Sequence, residues 1–244
     1  MPRLDELGVA PDPRRDPTAY PGDRLPFDFV LRGDRVEPLA PADPRPAGRH
    51  AVVAFGSNAA PAQLAAKFGA AGGPITVTHA RLRGFALGHS PHVSVPGYLP
   101  WVLVVDPGAA VECALLWLDD RQRGLLDATE PNYDLRPIEP ARHGPVLRAT
   151  GRVVPAAAYR GRWGALRWPG AAGPVPAGSQ AAVFDRLATF GWVRELAGTG
   201  GVAAVQRRLA GDAVLRDRIR AEFAARDLVV ADGWSRTGAG PHTD

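Results

Sequence analysis

The fold is decided by residues 51–58, which read AVVAFGSN. The apolar run 51–55 has the length of a strand and no polar interruption, which is typical of a strand buried on both faces. Residues 56–58 break this run, Pro61 is suited to the first turn of a helix, and Gly69 is suited to its end. The stretch therefore predicts a buried strand, a tight turn and a helix, in that order.

The turn at 56–58 also has the chemistry of an anion-binding site. The first backbone N–H groups of a helix have no partner within it and lie at the positive end of the helix dipole, so they bind carboxylates or phosphates. Gly56 would allow a ligand to approach the backbone, while Ser57 and Asn58 add side-chain donors. On these residues alone, a binding turn and a plain strand-to-helix connection fit equally well.

Further strand-like runs follow and predict a mainly β segment with two short helices. These runs cover residues 75–79, 82–87, 101–105, 111–118, 133–138 and 146–154. The run 101–105 is ended by Asp106-Pro107-Gly108, a turn sequence, before the run 111–118, and Asp119 is a suitable N-cap for a short helix.

Two flanking segments have a different composition. Residues 1–48 are rich in proline, and only the run around 27–36 is suited to a strand or hairpin, laid on the main domain. Residues 156–244 carry amphipathic helical periodicity after a candidate helix cap at Ser179. The sequence thus predicts a Pro-rich extension (1–48), a main domain (49–155) and a helical C-terminal extension (156–244).

Composition and charge exclude several classes of protein. The 28 Gly and 25 Pro exclude a coiled coil or helical bundle as the whole architecture. No apolar run approaches the roughly 20 residues of a membrane-spanning helix, and we expect no membrane partner. Of the 29 basic residues only Lys67 is a lysine, and the arginines alternate with acidic residues, so we expect no nucleic-acid partner. The single cysteine, Cys113, excludes an internal disulfide framework and favours a cytoplasmic location.

Three other patterns have simpler interpretations than a site. The stretch 88–92, GHSPH, lacks the last glycine and the following helix of a hydrolase nucleophile elbow, and His89 and His92 form a metal pair without a third ligand. The glycines of 198–201 follow a helix-like stretch instead of a strand. We interpret them as loop histidines and a turn between helices, and Cys113 as a buried structural thiol.

A family resemblance adds to this reading. AFGSN resembles the YGSN-type signature that opens the γ-glutamylcyclotransferase-like family. Residues 103–138 are similar to that family's strand, turn, strand and helix, which ends in a glutamate followed by an aromatic and a basic residue. In this order Glu130 matches the catalytic glutamate, and Tyr133 and Arg136 match the two residues after it. The resemblance spans about residues 51–140, and its two motifs lie about 72 residues apart.

The resemblance implies a small mixed β-barrel with flanking helices, hence an α+β fold, and a particular reaction. The α-amine of a small γ-glutamyl substrate attacks its own γ-carbonyl, releasing 5-oxoproline and an amine. One carboxylate, Glu130, would carry the proton from the attacking to the leaving nitrogen. No metal or organic cofactor is required. The expected substrate-binding residues are Phe55, Gly56, Ser57, Asn58 and Tyr133.

This chain departs from the family pattern at three positions, and two other functions stay open. Phe55 stands where tyrosine is usual, Pro131 where glycine is common, and Cys113 where a glycine often begins a strand. A non-catalytic binding module would keep the turn, and an amide hydrolase would use water in place of the substrate amine. Glu130 favours catalysis over binding, whereas no residue separates cyclisation from hydrolysis. The leaving amine and the oligomeric state are open too.

Overall fold

The computed structural model describes residues 1–40, 46 and 48–234, and it shows a mixed α+β architecture. The strands are β1 (Phe29–Arg32), β2 (Arg35–Pro38), β3 (His50–Ala54), β4 (Ile75–His89), β5 (Trp101–Leu118), β6 (Tyr133–Pro137), β7 (Val146–Leu147), β8 (Ala157–Gly161), β9 (Ala165–Leu166) and β10 (Val229–Val230). The helices are α1 (Pro61–Phe68), α2 (Asp120–Asp127), α3 (Pro140–His143), α4 (Gln180–Leu187), α5 (Gly191–Ala197), α6 (Val202–Gly211) and α7 (Ala213–Ala225).

The main sheet is mostly antiparallel and open, which corrects the expected closed barrel. Its strand order is β2-β1-β4-β5-β3-β8-β6, with β7 added beside β4, and β3 and β8 form a parallel pair. A barrel needs its two edge strands to pair. Among the strands of the described part of the chain, β2 pairs only with β1 and β6 pairs only with β8. Instead, hydrophobic clusters cover both faces of the open sheet, so its apolar side chains are buried without closure into a barrel.

Strand β3 confirms the expectation of burial on both faces. Val52 and Ala54 belong to a cluster that includes Leu64 of α1, whereas Ala51 and Val53 belong to a second cluster on the other side of the sheet. Alternate residues of a strand point to opposite faces, so a continuous apolar run is required here.

Strands β4 and β5 are longer than the sequence predicts. The break expected between residues 79 and 82 does not occur, and the turn sequence 106–108 lies within β5. Arg83 pairs with Ala110 and Phe85 with Val105, so residues 106–109 bulge opposite Gly84 alone, whose φ is +77°. A turn-forming sequence is accommodated as an exposed bulge because the ladder resumes on both sides of it.

The flanking segments contribute strands to the same sheet. The hairpin β1–β2 pairs with β4, as the sequence predicts for residues 27–36. The strand predicted for 146–154 is reduced to β7, because Leu147 N–H bonds Arg152 O across a tight turn. Strand β8, which follows position 155, pairs with both β3 and β6. The three-part division of the chain stays a prediction.

Helices α4 to α7 form a third hydrophobic cluster, which also contains Val93 and Leu99. Ser179 caps α4 by accepting the N–H of Ala182 at 3.1 Å, as predicted, and residues 198–201 form a turn between α5 and α6. Within the ranges given above, no helix has the length and apolarity required to cross a membrane.

Candidate functional site

Sheet topology brings the turn at 56–58 and Glu130 to the same end of the sheet. Strand β3 runs into the turn, and β8 lies parallel to β3 and antiparallel to β6, with Tyr133 opposite Gly161. The start of β6 and the end of β3 therefore lie at the same end of the sheet, with β8 between them. Glu130 precedes β6 in a tight turn, in which Tyr133 N–H donates to Glu130 O at 3.0 Å.

The side chain of Glu130 is held by two donors. Its Oε1 accepts hydrogen bonds from Asn58 Nδ2 at 3.0 Å and from Lys67 Nζ at 2.6 Å, and Lys67 also donates to Asn58 Oδ1 at 2.7 Å. The side chains of Lys67 and Glu130 are only 6% and 13% exposed. Among the described residues, Oε2 of Glu130 has no hydrogen-bond partner. The arrangement fixes one carboxylate oxygen and leaves the other for a ligand.

Lys67 is a residue that sequence reasoning missed. A lysine on a surface helix is ordinarily solvated, because burial of its charge is costly without a partner. The sequence feature that could have identified it is that Lys67 is the only lysine, whereas every other Lys or Arg position in the chain is arginine. In the structure its ammonium group lies against Glu130, so the two nearly buried charged groups are paired with each other.

A cavity of about 270 Å³ contains this network. All the predicted site residues line it: Phe55, Gly56, Ser57, Asn58, Glu130 and Tyr133. The lining residues that were not predicted include Arg14, Tyr20, Gln63, Lys67, His92, Tyr98, Trp101 and Tyr159. Arg136 does not line it; this residue is half exposed and lies 3.8 Å from Asp134.

Gly56 is required by the packing of Tyr20, a reason that the sequence did not reveal. Its φ is −103°, which any residue can adopt. A Cβ at this position would lie 2.6 Å from the hydroxyl oxygen of Tyr20, so the glycine accommodates Tyr20. Residues 57–59 form a single 3-10 turn before α1, and the N–H groups of Ala59 and Ala60 bond within it. The N–H groups of residues 56–58, at the start of the turn, are those that the turn itself does not use.

Aromatic side chains form another part of the cavity wall. The hydroxyl of Tyr20 accepts the N–H of Trp101 at 2.8 Å, and the hydroxyl of Tyr133 donates to Trp101 O at 3.2 Å. The rings of Tyr20 and Tyr98 stack with centroids 4.2 Å apart. Burial raises the pKa of Tyr20 and Tyr133 well above the ordinary value, and raises the pKa of Tyr98 to about 12. All three phenols are therefore neutral at physiological pH.

The two histidines of residues 88–92 have different surroundings. Burial lowers the pKa of His92 to about 3, and its Nδ1 shares a 2.5 Å hydrogen bond with Ser90 Oγ at the cavity wall. His89 is a buried residue at the end of β4 and not the loop histidine expected from the sequence; it bonds Leu99 O and accepts the N–H of Gly178. In the part of the chain that the structure describes, no group of three or more His, Cys, Asp and Glu side chains could hold a metal ion.

The N-terminal segment supplies part of the cavity. Arg14 is fixed by the buried Asp12, which accepts Arg14 Nε at 2.7 Å and the Arg14 backbone N–H at 2.9 Å. Tyr20 comes from the same segment. Neither residue falls within the stretch that resembles a known family, so local sequence patterns gave no signal for them.

Residues 94–98 form a loop over the cavity, here called the roof loop. Ser94, Val95, Pro96 and Tyr98 of this loop line the cavity. The C-terminal helices support it: Gln180 of α4 bonds both the N–H and the carbonyl of Leu99, at 2.9 and 3.0 Å. Gly97 has φ +101°, and a Cβ there would lie 2.2 Å from Gln206 O of α6. The helical extension therefore packs behind the loop that closes the cavity.

Comparisons with known proteins give partial structural likenesses. No family model matches the chain, and no curated protein matches it by sequence. Two solution structures of Arabidopsis thaliana proteins are similar over 49% and 62% of this chain, and over 66% and 89% of theirs, with TM-scores of 0.38 and 0.40 and identities of 16% and 18%. A γ-glutamyl cyclotransferase is similar over 34% of this chain and 50% of its own, with a TM-score of 0.30 and 15% identity. The chain thus spans about half of that cyclotransferase.

Proposed function

We propose that the protein is a cyclotransferase that releases 5-oxoproline from a small γ-glutamyl amine or peptide. The observation that carries the proposal is the hydrogen bond between Asn58 and Glu130 inside a cavity. It joins the anion-binding turn to a sheltered carboxylate. The reaction needs those two groups side by side, because the substrate's carboxylate and amine are attached to the same carbon atom.

In this proposal the turn at residues 56–58 orients the substrate. The N–H groups of residues 56–58 bind the α-carboxylate, which directs the α-amine toward Glu130. Intramolecular attack then needs only the correct rotamer of the substrate, since both reacting groups belong to one molecule. The cavity, at about 270 Å³, lies near the lower end of ligand pockets, which hold roughly 300–1,000 Å³, and this favours a small substrate.

Glu130 Oε2 is the oxygen that exchanges the proton. It first takes a proton from the α-ammonium, so that the free amine attacks the γ-carbon and closes the five-membered ring as a tetrahedral adduct. Glu130 returns this proton to the leaving nitrogen as the bond from the γ-carbon to that nitrogen breaks, and the released amine takes up the second proton that the ring nitrogen loses. Lys67 pairs with the carboxylate and fixes Oε1, which leaves Oε2 as the oxygen that accepts the proton in this proposal.

We further propose that the protein acts in the reducing cytoplasm, without a nucleic-acid or membrane partner. Burial raises the pKa of the Cys113 thiol to about 12, so this cysteine is a structural thiol and is not a nucleophile for the reaction. The reaction as written consumes no metal or organic cofactor.

A product assay tests the proposal. Purified protein is incubated with a panel of γ-glutamyl compounds, and 5-oxoproline and glutamate are separated by mass spectrometry. We expect 5-oxoproline from at least one compound and none from the Glu130→Gln variant. Glutamate as the product would establish hydrolysis instead, and no product from any compound would leave a binding module as the better explanation.

A further inference from the structure

The side chain of Gln63, a buried polar residue that lines the cavity, has no hydrogen-bond partner among the described residues. Among the described residues, three buried side-chain atoms lack a hydrogen bond: Gln63 Oε1, Trp101 Nε1 and Gln206 Oε1. Trp101 borders a second cavity as well, and Gln206 lies outside the lining of the main one. Gln63 lines the main cavity, is only 2% exposed, and its side chain bonds no described residue.

An unpaired buried amide is expensive for the fold. A buried acceptor without a hydrogen bond destabilises a protein by roughly 1–3 kcal/mol, and native structures contain few of them. Leucine has nearly the same size and would fill the position without this penalty. A glutamine that makes no bond within the protein therefore fits a role that appears only when a ligand is bound.

The position of Gln63 identifies the group that it would bind. Gln63 lies one helical turn before Lys67 on α1, so both side chains are on the same face of the helix, toward the turn and Glu130. The donors in this region are already supplied by Asn58 and Lys67. Gln63 Oε1 is itself closed off in the free protein, so the side-chain amide must rotate to present this neutral acceptor to the cavity.

We propose that Gln63 is a substrate-binding residue whose Oε1 accepts a hydrogen bond from the α-amine of the ligand. This inference rests on the proposed function and names one further recognition residue for it. A second acceptor beside Glu130 lets the amine be oriented while Oε2 receives a proton. A ligand without the amine leaves Gln63 Oε1 unpaired, so Gln63 selects ligands that carry an amine.

The first experiment compares two stable probes that differ only in the amine, L-glutamate and glutarate. Dissociation constants are measured by calorimetry for the wild type, Gln63→Leu and Gln63→Glu. We expect the wild type to prefer L-glutamate, and Gln63→Leu to weaken L-glutamate binding about tenfold with glutarate unchanged. Gln63→Glu keeps an acceptor and should keep the preference. An unchanged preference in Gln63→Leu would overturn the proposal.

The second experiment needs no ligand and has a matched control. Gln63→Leu should raise the melting temperature of the free protein or leave it unchanged, because it removes an unpaired polar group. Gln122 is equally buried but bonds Asp119 N–H, Gly72 O and Pro74 O. Gln122→Leu should therefore lower the melting temperature. A comparable loss of stability in both variants would show that Gln63 is structural, against the proposal.

A third measurement separates this inference from the proposed function. If the wild type binds neither probe, the γ-glutamyl assignment fails, and methylammonium becomes the probe for the amine subsite. We then expect a saturable shift of the Gln63 side-chain amide in nitrogen-edited NMR spectra, absent for Gln122. No shift for Gln63 would overturn the amine subsite as well.

Discussion

The hydroxyl of Tyr20 occupies the space in which a side chain at Gly56 would begin. The distance from that oxygen to an ideal Cβ on Gly56 is 2.6 Å, while the next ring atom, Cζ, is 3.6 Å away. The same hydroxyl accepts the N–H of Trp101. One oxygen atom from the N-terminal segment thus connects the turn after β3 to the first residue of β5.

Gly56→Ala should destabilise the protein by about 1–3 kcal/mol, because the added methyl group displaces the Tyr20 hydroxyl. Denaturant unfolding of Gly56→Ala, Tyr20→Phe and the double variant measures the coupling between the two positions. We expect the alanine to cost less in the Tyr20→Phe background, where the clashing oxygen is absent. Additive effects would contradict a direct clash. Ligand-induced thermal stabilisation should also fall in Gly56→Ala.

Glu130→Gln should abolish most turnover while substrate binding largely survives. A positioned general acid–base contributes about 10²–10⁴-fold, and the amide keeps the shape of the carboxylate without its proton transfer. Steady-state rates and the Kd of a γ-glutamyl ligand are compared with those of Glu139→Gln, an exposed glutamate outside the cavity. Turnover like that of the wild type in Glu130→Gln would contradict the mechanism.

Lys67 should react slowly with amine-directed reagents. Because it is the only lysine, every lysine adduct found by peptide mass spectrometry reports on this site. Its ammonium group is nearly buried and paired, so we expect modification on the order of a hundredfold slower in the folded protein than in urea. Glu130→Gln should speed the reaction and Glu139→Gln should not. Equal rates with and without urea would show that the ion pair does not persist in solution.

Two buried histidines should make the protein sensitive to acid. Burial lowers the pKa of His92 to about 3 and that of His89 to about 4, below the ordinary 6.5. Between those values and pH 6.5 the unfolded chain binds protons that the folded chain does not, so the free energy of unfolding falls as the pH is lowered from about 6.5. Urea unfolding at several pH values should show a shallower fall for His92→Asn than for the wild type. The exposed His50 provides the control, and an equal slope in His92→Asn would count against the burial of His92.

Gln180→Leu should loosen the roof loop. It removes both hydrogen bonds to Leu99 and leaves the buried N–H of Leu99 unpaired, at a cost of roughly 1–3 kcal/mol, while Leu99 O keeps its bond to His89. We expect lower stability together with a higher KM, because the loop carries Tyr98 into the cavity. Asp185→Asn, on the exposed face of α4, should change neither. A loss of stability with unchanged KM would limit the helical extension to a structural role.

The parts of the site that could be predicted from the sequence are those that depend on short patterns of neighbouring residues. The strand, turn and helix around residues 51–69 follow from apolar runs, glycines and a proline, which act over a few residues. Glu130 was reached through resemblance and spacing. Tyr20 and Lys67 were not predicted, because their roles depend on which distant segments the sheet places beside the turn. The turn predicted at 106–108 was wrong for the same reason. Pairing with β4 on both sides of these residues makes them a bulge within β5.

The parallel pair of β3 and β8 makes the cavity suitable for a split-protein reporter. Val52 of β3 pairs with Ala157 of β8. The exposed stretch 148–153 lies between β7 and β8 along the chain. A cut there would place Glu130 and the turn on one fragment, and β8, which lies between β3 and β6, on the other. Turnover would then require β8 to insert between its two neighbours, and would rise with the concentration of both fragments.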